Sequence, residues 1–367
     1  MLIDSLKHRF MEDPLCTVTP SIFQTCSNDS ISKNGTCFED SCCTSVLTAT
    51  SWYYRLAQFS HIFFSALGIF VILIYLKSYS KTLILSFNIR VFVNFVIFLI
   101  IIHSIDMIVI HVYHLFQSFR IPLTNPCFVR VRVSFCAPFR NFYSFSLLAL
   151  AVTQYSIYID RLICIFWSSY SKYHRWVLVI LVGHIIFITT YAIIWIFREE
   201  DSDSFLLSCL NIPLASMEDL VSVTAFLFPV NILCFFLSIL IFRIFQKRQK
   251  DSRFNMKAHF KDVIDVQSSE FLYHLTGTQA IFIVVYPVLS ITMRVFYYDT
   301  PRPLHLTFAT LSYIFSIYSF VVPLQLIIYA YKSHKIKKDR IFSHVKMKSV
   351  GTEGADNYFN SLRNQWG

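Results

Sequence analysis

The stretch Ile69-Phe70-Val71-Ile72-Leu73-Ile74 consists of six consecutive apolar residues inside a longer apolar segment. A helix needs about 20 mostly apolar residues to cross a bilayer, and only helices or closed barrels satisfy their backbone hydrogen bonds there. The strands of a membrane barrel alternate apolar and polar residues, whereas this stretch is apolar throughout. It therefore predicts a membrane-spanning helix.

Six further apolar segments of similar length follow along the 367-residue chain. The composition agrees with a membrane protein, because 55% of the residues are hydrophobic and only 15% are charged. A soluble domain of this length with so few charged residues would have too little polar surface to stay in solution. We predict an all-α fold, a seven-transmembrane helix bundle with spans at 56–76, 89–111, 141–165, 176–197, 221–242, 272–297 and 308–331. The bundle occupies residues 56–331, between a tail at 1–55 and a second tail at 332–367.

The positive charges predict how the chain is oriented in the membrane. Lys and Arg number 19 in the segments 77–88, 166–175, 243–271 and 332–367, against six in the loops 112–140, 198–220 and 298–307. Cytoplasmic segments of membrane proteins are rich in Lys and Arg, so we predict an external N-terminus and a cytoplasmic C-terminus. The loop 112–140 opposes this rule with four arginines, which the acidic run 199–203 of the next outer loop would offset.

The N-terminal tail has features of an extracellular segment. It contains two acceptor patterns for N-glycosylation, at Asn28 and Asn34. Its five cysteines suit disulfide bonds in an oxidising compartment; they are Cys16, Cys26, Cys37, Cys42 and Cys43. We therefore predict an extracellular tail, with unpaired thiols on a cytosolic tail as the alternative.

The net charge of +10 does not indicate nucleic-acid binding, because the positive residues are concentrated in the segments predicted to be cytoplasmic. A basic inner face suits anionic lipids and acidic partners. Five basic residues after the last span predict a short amphipathic helix on the inner leaflet, with a solvated charge run as the alternative; they are Lys332, Lys335, Lys337, Lys338 and Arg340. We therefore predict contact with membrane lipids and no nucleic-acid partner.

Asp160 and Arg161 are adjacent at the inner end of the third span. An arginine at the edge of a low-dielectric region pairs with a neighbouring acid in one state, and it faces a partner when the cytoplasmic ends of the helices separate. The pair therefore predicts a two-state element that is read on the cytoplasmic side. A charged pair that only marks the membrane boundary is the alternative.

Cys136 lies 25 residues before Arg161, which is about 37 Å along a helix at 1.5 Å per residue. This distance puts Cys136 at the outer end of the third span, within reach of Cys209 in the loop between spans four and five. A disulfide between them would hold that loop over the outer mouth of the bundle and stabilise the fold. Cys127 is a competing partner, and the spacing does not choose between the two.

Seven spans, an external N-terminus, these cysteines and the inner Asp-Arg pair together resemble rhodopsin-like G-protein-coupled receptors. The chain departs from that superfamily in three places. Val322-Pro323-Leu324-Gln325-Leu326 stands where its seventh helix usually has Asn-Pro-x-x-Tyr, and Asp106 lies in the outer third of the second span instead of its middle. In the sixth span, Tyr286-Pro287 lacks the usual Trp three residues earlier. These departures argue against an ordinary amine or peptide receptor.

The chain is more similar to the nematode serpentine chemoreceptors, of class alpha (Sra) or its sister class alpha-beta (Srab). The motifs that carry the resemblance include Tyr54-Arg55-Leu56-Ala57-Gln58-Phe59, Cys136-Ala137-Pro138, Ile159-Asp160-Arg161, Leu275-Thr276-Gly277-Thr278-Gln279 and Tyr358-Phe359-Asn360-Ser361-Leu362. The resemblance implies a receptor that binds a small-molecule chemical ligand and signals to a heterotrimeric G protein. It also implies a multi-pass plasma-membrane protein, typically in the cilia of sensory neurons.

Two groups of residues are candidates for these functions. The candidates for G-protein coupling are the inner pair and the basic third inner loop: Asp160, Arg161, Arg243, Lys247 and Arg248. Polar residues within membrane spans usually face the bundle interior or a cavity, and those that would line an outer ligand pocket are His61, His103, Asp106 and Arg294. In that pocket, Asp106 or Arg294 would hold an ionised ligand group. Hydrogen bonds between helices, and an arginine that reaches the membrane surface, are the alternative.

Other classes of function have less support in the sequence. We find no Gly-rich phosphate loop, no His-Glu-x-x-His zinc pattern and no nucleophile elbow, so we predict no enzyme, no cofactor and no metal site. A membrane transporter or a ligand-gated channel is the serious alternative. Transporters commonly have paired repeats and helices broken at mid-bilayer, and the sequence shows no internal repeat.

Overall fold

The computed structural model describes residues 39–80, 83, 85–120, 126–167, 169–212, 216–251, 256–295, 301–347 and 352–366. The helices in this part of the chain are α1 (Glu39–Thr50), α2 (Trp52–Ile74), α3 (Phe87–Phe119), α4 (Val133–Phe166), α5 (Tyr170–Ile196), α6 (Met217–Asp251), α7 (Met256–Val295), α8 (Arg302–Leu311), α9 (Phe315–Met347) and α10 (Thr352–Trp366). A π-helical turn, Tyr75–Tyr79, extends α2, and a 3-10 turn, Pro126–Val129, follows α3. Two strands, β1 (Val131–Arg132) and β2 (Phe205–Leu206), pair antiparallel.

Seven helical segments are long and apolar enough to cross a membrane, namely Trp52–Tyr79, Phe87–Phe119, Val133–Phe166, Tyr170–Ile196, Glu218–Asp251, Lys261–Met293 and Pro303–Lys335. The predicted seven-transmembrane helix bundle is therefore confirmed. All seven segments are longer than the predicted spans, because hydropathy marks only the part in hydrocarbon while the helical hydrogen bonds continue into the polar ends. Outer and inner denote the two sides given by the predicted orientation.

The seventh span differs from the single segment 308–331 that the sequence predicts. It begins with α8, breaks at residues 312–314 and continues as α9. Beside the break, the hydroxyls of Thr310 and Ser312 donate hydrogen bonds to backbone carbonyls of the preceding turn, a pattern that destabilises and bends helices. Tyr313 therefore lies between two helical pieces, and its side chain is buried.

The basic residues after the seventh span also differ from the prediction of a separate helix on the inner leaflet. They continue α9 as far as Met347, because the chain has no Gly or Pro between Pro323 and Gly351 to interrupt the helix. The separate helix is the next one, α10, on which Tyr358 and Phe359 are exposed.

The third and second spans, α4 and α3, form the centre of the bundle. In their most apolar windows 61% and 56% of the residues are buried, against 22% in each of the fifth and sixth spans. The main core cluster joins Phe92 of α3, Ile157 of α4, Phe245 of α6 and Val322 of α9. Large apolar side chains that are exposed on the outward helix faces are typical of a protein surface that contacts lipid tails instead of water.

The first and seventh spans approach each other closely at Gly68. A Cβ atom added to Gly68 would lie 2.7 Å from the backbone oxygen of Ser319 in α9. Small residues permit such close packing between membrane helices. Gly183 in α5 is different, since a Cβ atom there would have no other atom within 4 Å. Helix packing therefore requires glycine at position 68 but not at position 183.

We expect the substitution Gly68→Ala to destabilise the bundle by about 1–3 kcal/mol, because α2 must move away from the backbone of α9. The matched substitution Gly183→Ala is expected to be neutral, or stabilising by up to about 1 kcal/mol through helix propensity. Thermal denaturation of the two purified variants in detergent measures the difference. Equal melting temperatures for both variants would contradict the close approach at Gly68.

Candidate functional site

The loop between α5 and α6 is fastened over the outer end of the bundle. A disulfide joins Cys209 of this loop to Cys136 at the start of α4. Of the two candidate partners of Cys136, Cys127 and Cys209, the structure therefore pairs Cys209 with it. The side chain of Cys127 is outside the described residues. The β1–β2 pair adds backbone hydrogen bonds, and the amide N–H of Cys209 donates to Nε2 of His114 in α3, 3.0 Å away. The loop is therefore tied to two helices of the bundle.

A buried charge pair also holds this loop. Arg140 of α4 is fully buried and forms an ion pair with Glu200 of the loop. Its guanidinium carbon lies 4.9 Å from the centre of the Phe197 ring. The sequence predicts that the acidic run 199–203 offsets the arginines of the preceding outer loop, and the Arg140–Glu200 ion pair is one such contact.

A cavity of about 130 Å³ lies among α4, α6, α7, α9 and this loop. Leu210 and Ile212 of the loop contribute to its wall. Most of its lining is apolar or aromatic, and the residues with a polar group include Tyr143, Asn231, Gln279, Tyr286, Tyr313 and Tyr318. None of the described residues that line it is charged. A mostly apolar cavity with a few polar groups, between the helices of a bundle, is a typical small-molecule site.

Three of the four predicted pocket residues are gathered around Tyr313 instead of lining this cavity. The rings of His61 and His103 have centroids 6.2 and 5.9 Å from that of Tyr313. Asp106 is buried as well, one turn along α3 from His103. Since Tyr313 itself lines the cavity, it connects the cavity with this cluster of polar residues.

The polar cluster contains both satisfied and unsatisfied groups. His61 is within 2.9 Å of the Ser316 hydroxyl at Nδ1 and within 2.9 Å of the Thr310 carbonyl at Nε2, which ties α2 to both pieces of the seventh span. His103 Nε2 and Asp106 Oδ2 are buried without a hydrogen-bond partner among the described residues. Because unpaired polar groups in a membrane interior are costly, a bound polar group that reached these atoms would be stabilised by them. Their role in ligand binding stays a prediction.

Other predicted site residues lie outside the described part of the chain. They are the side chain of Arg294 and the glycosylation candidates Asn28 and Asn34. Cys42 in α1 is disulfide-bonded. In the part of the chain that the structure describes, no group of three or more His, Cys, Asp and Glu side chains is arranged to hold a metal ion.

At the inner end, Asp160 and Arg161 form a fully buried pair, with exposed fractions of 0% and 1%. Arg161 donates to Asp160 Oδ2 from Nη2 and Nε, at 2.6 and 3.0 Å. The second carboxylate oxygen, Oδ1, accepts hydrogen bonds from Asn88 Nδ2 and from the Tyr170 hydroxyl, each at 2.7 Å. Both oxygens of the carboxylate are therefore bonded, as a buried ion pair requires.

Asp265 of α7 is a second acidic partner of Arg161. Its Oδ1 lies 3.4 Å from Arg161 Nη1, so this contact links the third and sixth spans. One turn earlier in α7, Asp262 Oδ1 lies 3.2 Å from Nε of Arg248 in α6. The inner end of α7 is therefore held to α4 by one ion pair and to α6 by another.

The basic candidates for G-protein contact lie at the inner end of α6. Arg243, Lys247 and Arg248 are all exposed there. Arg248 differs from the other two, because its pairing with Asp262 directs it toward α7.

Sequence reasoning missed four residues of these two regions. Asn88, Tyr170 and Asp265 complete the surroundings of the inner pair, and Tyr313 connects the cavity with the polar cluster. Asp265 carried a usable signal, because an acid at the edge of an apolar segment needs a partner. Nothing in the local sequence distinguished Tyr313 from the other 19 tyrosines of the chain, since its position depends on the break between α8 and α9.

A seven-span bundle with a disulfide-fastened loop over an outer cavity, and with a buried acid–arginine pair at its inner end, has the architecture of a serpentine receptor of the G-protein-coupled type. The chain belongs to the family described as serpentine type 7TM GPCR receptor class ab chemoreceptor, which matches residues 40–367. The predicted resemblance to nematode serpentine chemoreceptors is confirmed. Of the two classes that the sequence motifs left open, the match is to class alpha-beta.

Two nematode proteins that are named as class beta serpentine receptors are similar to this chain along most of their length. Serpentine receptor class beta-18 of Caenorhabditis elegans is 51% identical over 352 residues, which cover 96% of this chain and 97% of that protein. Serpentine receptor class beta-17 of Caenorhabditis elegans is 22% identical over 321 residues, which cover 85% and 87% of the two chains. The chain is thus similar to serpentine receptors over nearly its full length.

We expect Cys209→Ser to lower the stability of the receptor by about 2–4 kcal/mol and to reduce its delivery to the cell surface, because the outer loop loses its covalent tie to α4. Cys234→Ala is the control, since Cys234 is a free, buried cysteine in the core. Surface labelling of an epitope-tagged receptor and thermal denaturation measure both effects. Normal surface delivery of the Cys209 variant would show that the bridge is dispensable.

Proposed function

We propose that this multi-pass membrane protein is a chemosensory receptor that binds a small-molecule ligand in its outer cavity and signals to a heterotrimeric G protein. The observation that carries the proposal is the burial of Arg161 between two acids on two helices. A buried charge with an alternative partner on another helix is a two-state element. Membership of the class ab chemoreceptor family supports the same function.

The two acidic contacts of Arg161 differ in strength. Its contact with Asp160 in the same helix is 2.6 Å, whereas its contact with Asp265 in α7 is 3.4 Å. N–H···O hydrogen bonds in proteins usually measure about 2.7–3.2 Å, so the contact with Asp265 is longer than usual. An outward shift of α7 therefore breaks the Asp265 contact and leaves the Asp160 pair intact. The inner end of the bundle can open without leaving Arg161 unpaired.

The cavity and the inner contact are connected by α7 itself. Gln279, Ile283 and Tyr286 of this helix line the cavity, and Gln279 is 14 residues from Asp265, or about 21 Å along a helix. Pro287 also lines the cavity, and a proline inside a helix is a common site of bending. A ligand that favours one bend of α7 therefore shifts the population of open and closed inner ends.

The open inner end would present positive charge to a G protein. Movement of α7 away from α4 exposes Arg161 beside the basic residues that are already exposed on α6, namely Arg243, Lys247 and Arg248. Opposite charges on the partner surface would then guide association. As the family resemblance implies, we place the receptor in the plasma membrane of sensory-neuron cilia.

One observation favours a second candidate function. The seventh span is broken at residues 312–314, beside buried polar groups, and transporters often bind substrates or ions at such breaks. Transport or a ligand-gated current does not need Arg161 to reach a G protein. Substitution of Arg161 therefore separates the two functions.

We expect Arg161→Ala to abolish ligand-evoked second-messenger and calcium signals in cells that express the receptor, because the group that contacts the G protein is removed. Surface labelling must show that the variant reaches the membrane, since Asp160 loses its partner. Arg161→Gln is the second variant, because an amide still donates to Asp160. Undiminished second-messenger signalling would reject the proposal, and a ligand-evoked current that survives would support the channel.

We expect Asp265→Asn to raise signalling in the absence of ligand. Loss of the charge weakens the contact between α4 and α7 by about 1 kcal/mol, which is roughly a fivefold change in the population of the open form. Asp262→Asn is the matched control, because Asp262 is one turn away on the same helix but pairs with α6. Equal basal signalling in wild type and the Asp265 variant would show that this contact does not restrain the receptor.

A further inference from the structure

The lining of the outer cavity restricts the charge of a ligand. Its described residues include no acid, no lysine and no arginine, although buried charges occur nearby in the Arg140–Glu200 pair. An ion that enters a low-dielectric site without an opposite charge loses its hydration and gains no partner, which is strongly unfavourable. The cavity therefore disfavours carboxylates and ammonium groups.

The size of the cavity restricts the bulk of a ligand. Its volume is about 130 Å³, whereas pockets for drug-sized ligands have about 300–1,000 Å³. An apolar cavity of about 150 Å³ accommodates one benzene molecule. The cavity thus fits a single six-membered ring, or an aliphatic chain of similar bulk.

A few polar atoms at the cavity wall lack partners. Asn231 in α6 is buried, and its Nδ2 donates to the carbonyl of Leu227 at 2.7 Å while its Oδ1 has no partner. The hydroxyls of Tyr313 and Tyr318 are likewise buried without a partner among the described residues. The residues of the wall therefore hold one unpaired acceptor and two unpaired hydroxyls, which a side-chain rotation would bring to a bound hydroxyl or carbonyl group.

We infer that the cavity binds uncharged molecules of about one ring in size that carry a single hydroxyl or carbonyl group. The hydroxyl of such a ligand donates to Asn231 Oδ1, or its oxygen accepts from a tyrosine, while the ring fills the apolar part. Asp106 is not among the described residues that line the cavity, so a ligand does not need an ionised group. This inference names the ligand class of the proposed receptor and rests on the proposed function.

The test is binding to the full-length receptor, purified in detergent and measured by thermal denaturation at pH 7 with four probes of one ring each. Benzyl alcohol is uncharged and polar, toluene is apolar, benzylamine is a cation and benzoate is an anion. We expect benzyl alcohol to raise the melting temperature most, toluene to raise it less, and the two ions to leave it unchanged.

Two variants of Asn231 make the test specific. Asn231→Leu keeps the bulk of the side chain and removes its acceptor, so we expect it to weaken benzyl alcohol about tenfold and to leave toluene unchanged. An effect of benzyl alcohol on the detergent would change the melting temperatures of the wild type and of the Asn231→Leu variant equally. Asn231→Asp adds a negative charge, and we expect this variant to gain stabilisation by benzylamine.

Stabilisation of the wild type by benzylamine or benzoate, to the same extent as by benzyl alcohol, would overturn the inference. If Asp106→Asn abolished the stabilisation by benzylamine, the prediction that Asp106 binds an ionised ligand group would replace this inference. An absence of stabilisation by all four probes would also reject the inference. Because binding is measured without a G protein, a receptor that binds benzyl alcohol but never signals would keep the ligand class and reject the proposed function.

Discussion

The hydrocarbon interior of a bilayer offers no hydrogen-bond partner to a backbone amide or to a charged side chain. Each span must therefore be helical, and each charge inside the bundle must find its partner from another part of the protein. The seven spans satisfy the first requirement along the chain. The two buried arginines of the described residues meet the second requirement through acids of the outer loop, of the same helix and of α7.

Two of these arginines mark the ends of α4, the central helix. Arg140 is paired with Glu200 of the outer loop, and Arg161 is paired with Asp160 and Asp265 at the inner end. They are 21 residues apart, which is about 31 Å along a helix and close to the thickness of the hydrocarbon core, about 30 Å. The helix is therefore anchored by a buried charge at each membrane boundary. The outer anchor fixes the loop that covers the cavity, whereas the inner anchor includes the longer and weaker contact with α7.

The broken seventh span gives the outer half of the bundle its second distinctive feature. At the break, Tyr313 lines the cavity and also contacts the rings of His61 and His103. Aromatic side chains supply a large apolar area together with a polar tip, which suits a boundary between an apolar cavity and a polar cluster. A ligand in the cavity would therefore contact Tyr313, whose backbone lies between two helices and outside regular helical hydrogen bonding.

The amino-acid sequence by itself determined the seven spans, the family resemblance and the position of the Asp160–Arg161 pair at a helix end. These features are local, because the transfer of a segment of about 20 residues into a bilayer depends on that segment's own composition. The break at Tyr313 was missed, since no Gly or Pro marks it.

Only the tertiary structure decided which residues meet across helices. Asn88 and Asp265 lie 72 and 104 residues from their partners in α4, and the choice of Cys209 for Cys136 spans 73 residues. The uncharged lining of the cavity, from which His61, His103 and Asp106 are absent, was likewise not evident from periodicity. Such pairings depend on the rotation and packing of whole helices, and these are set by contacts between spans that no single segment contains.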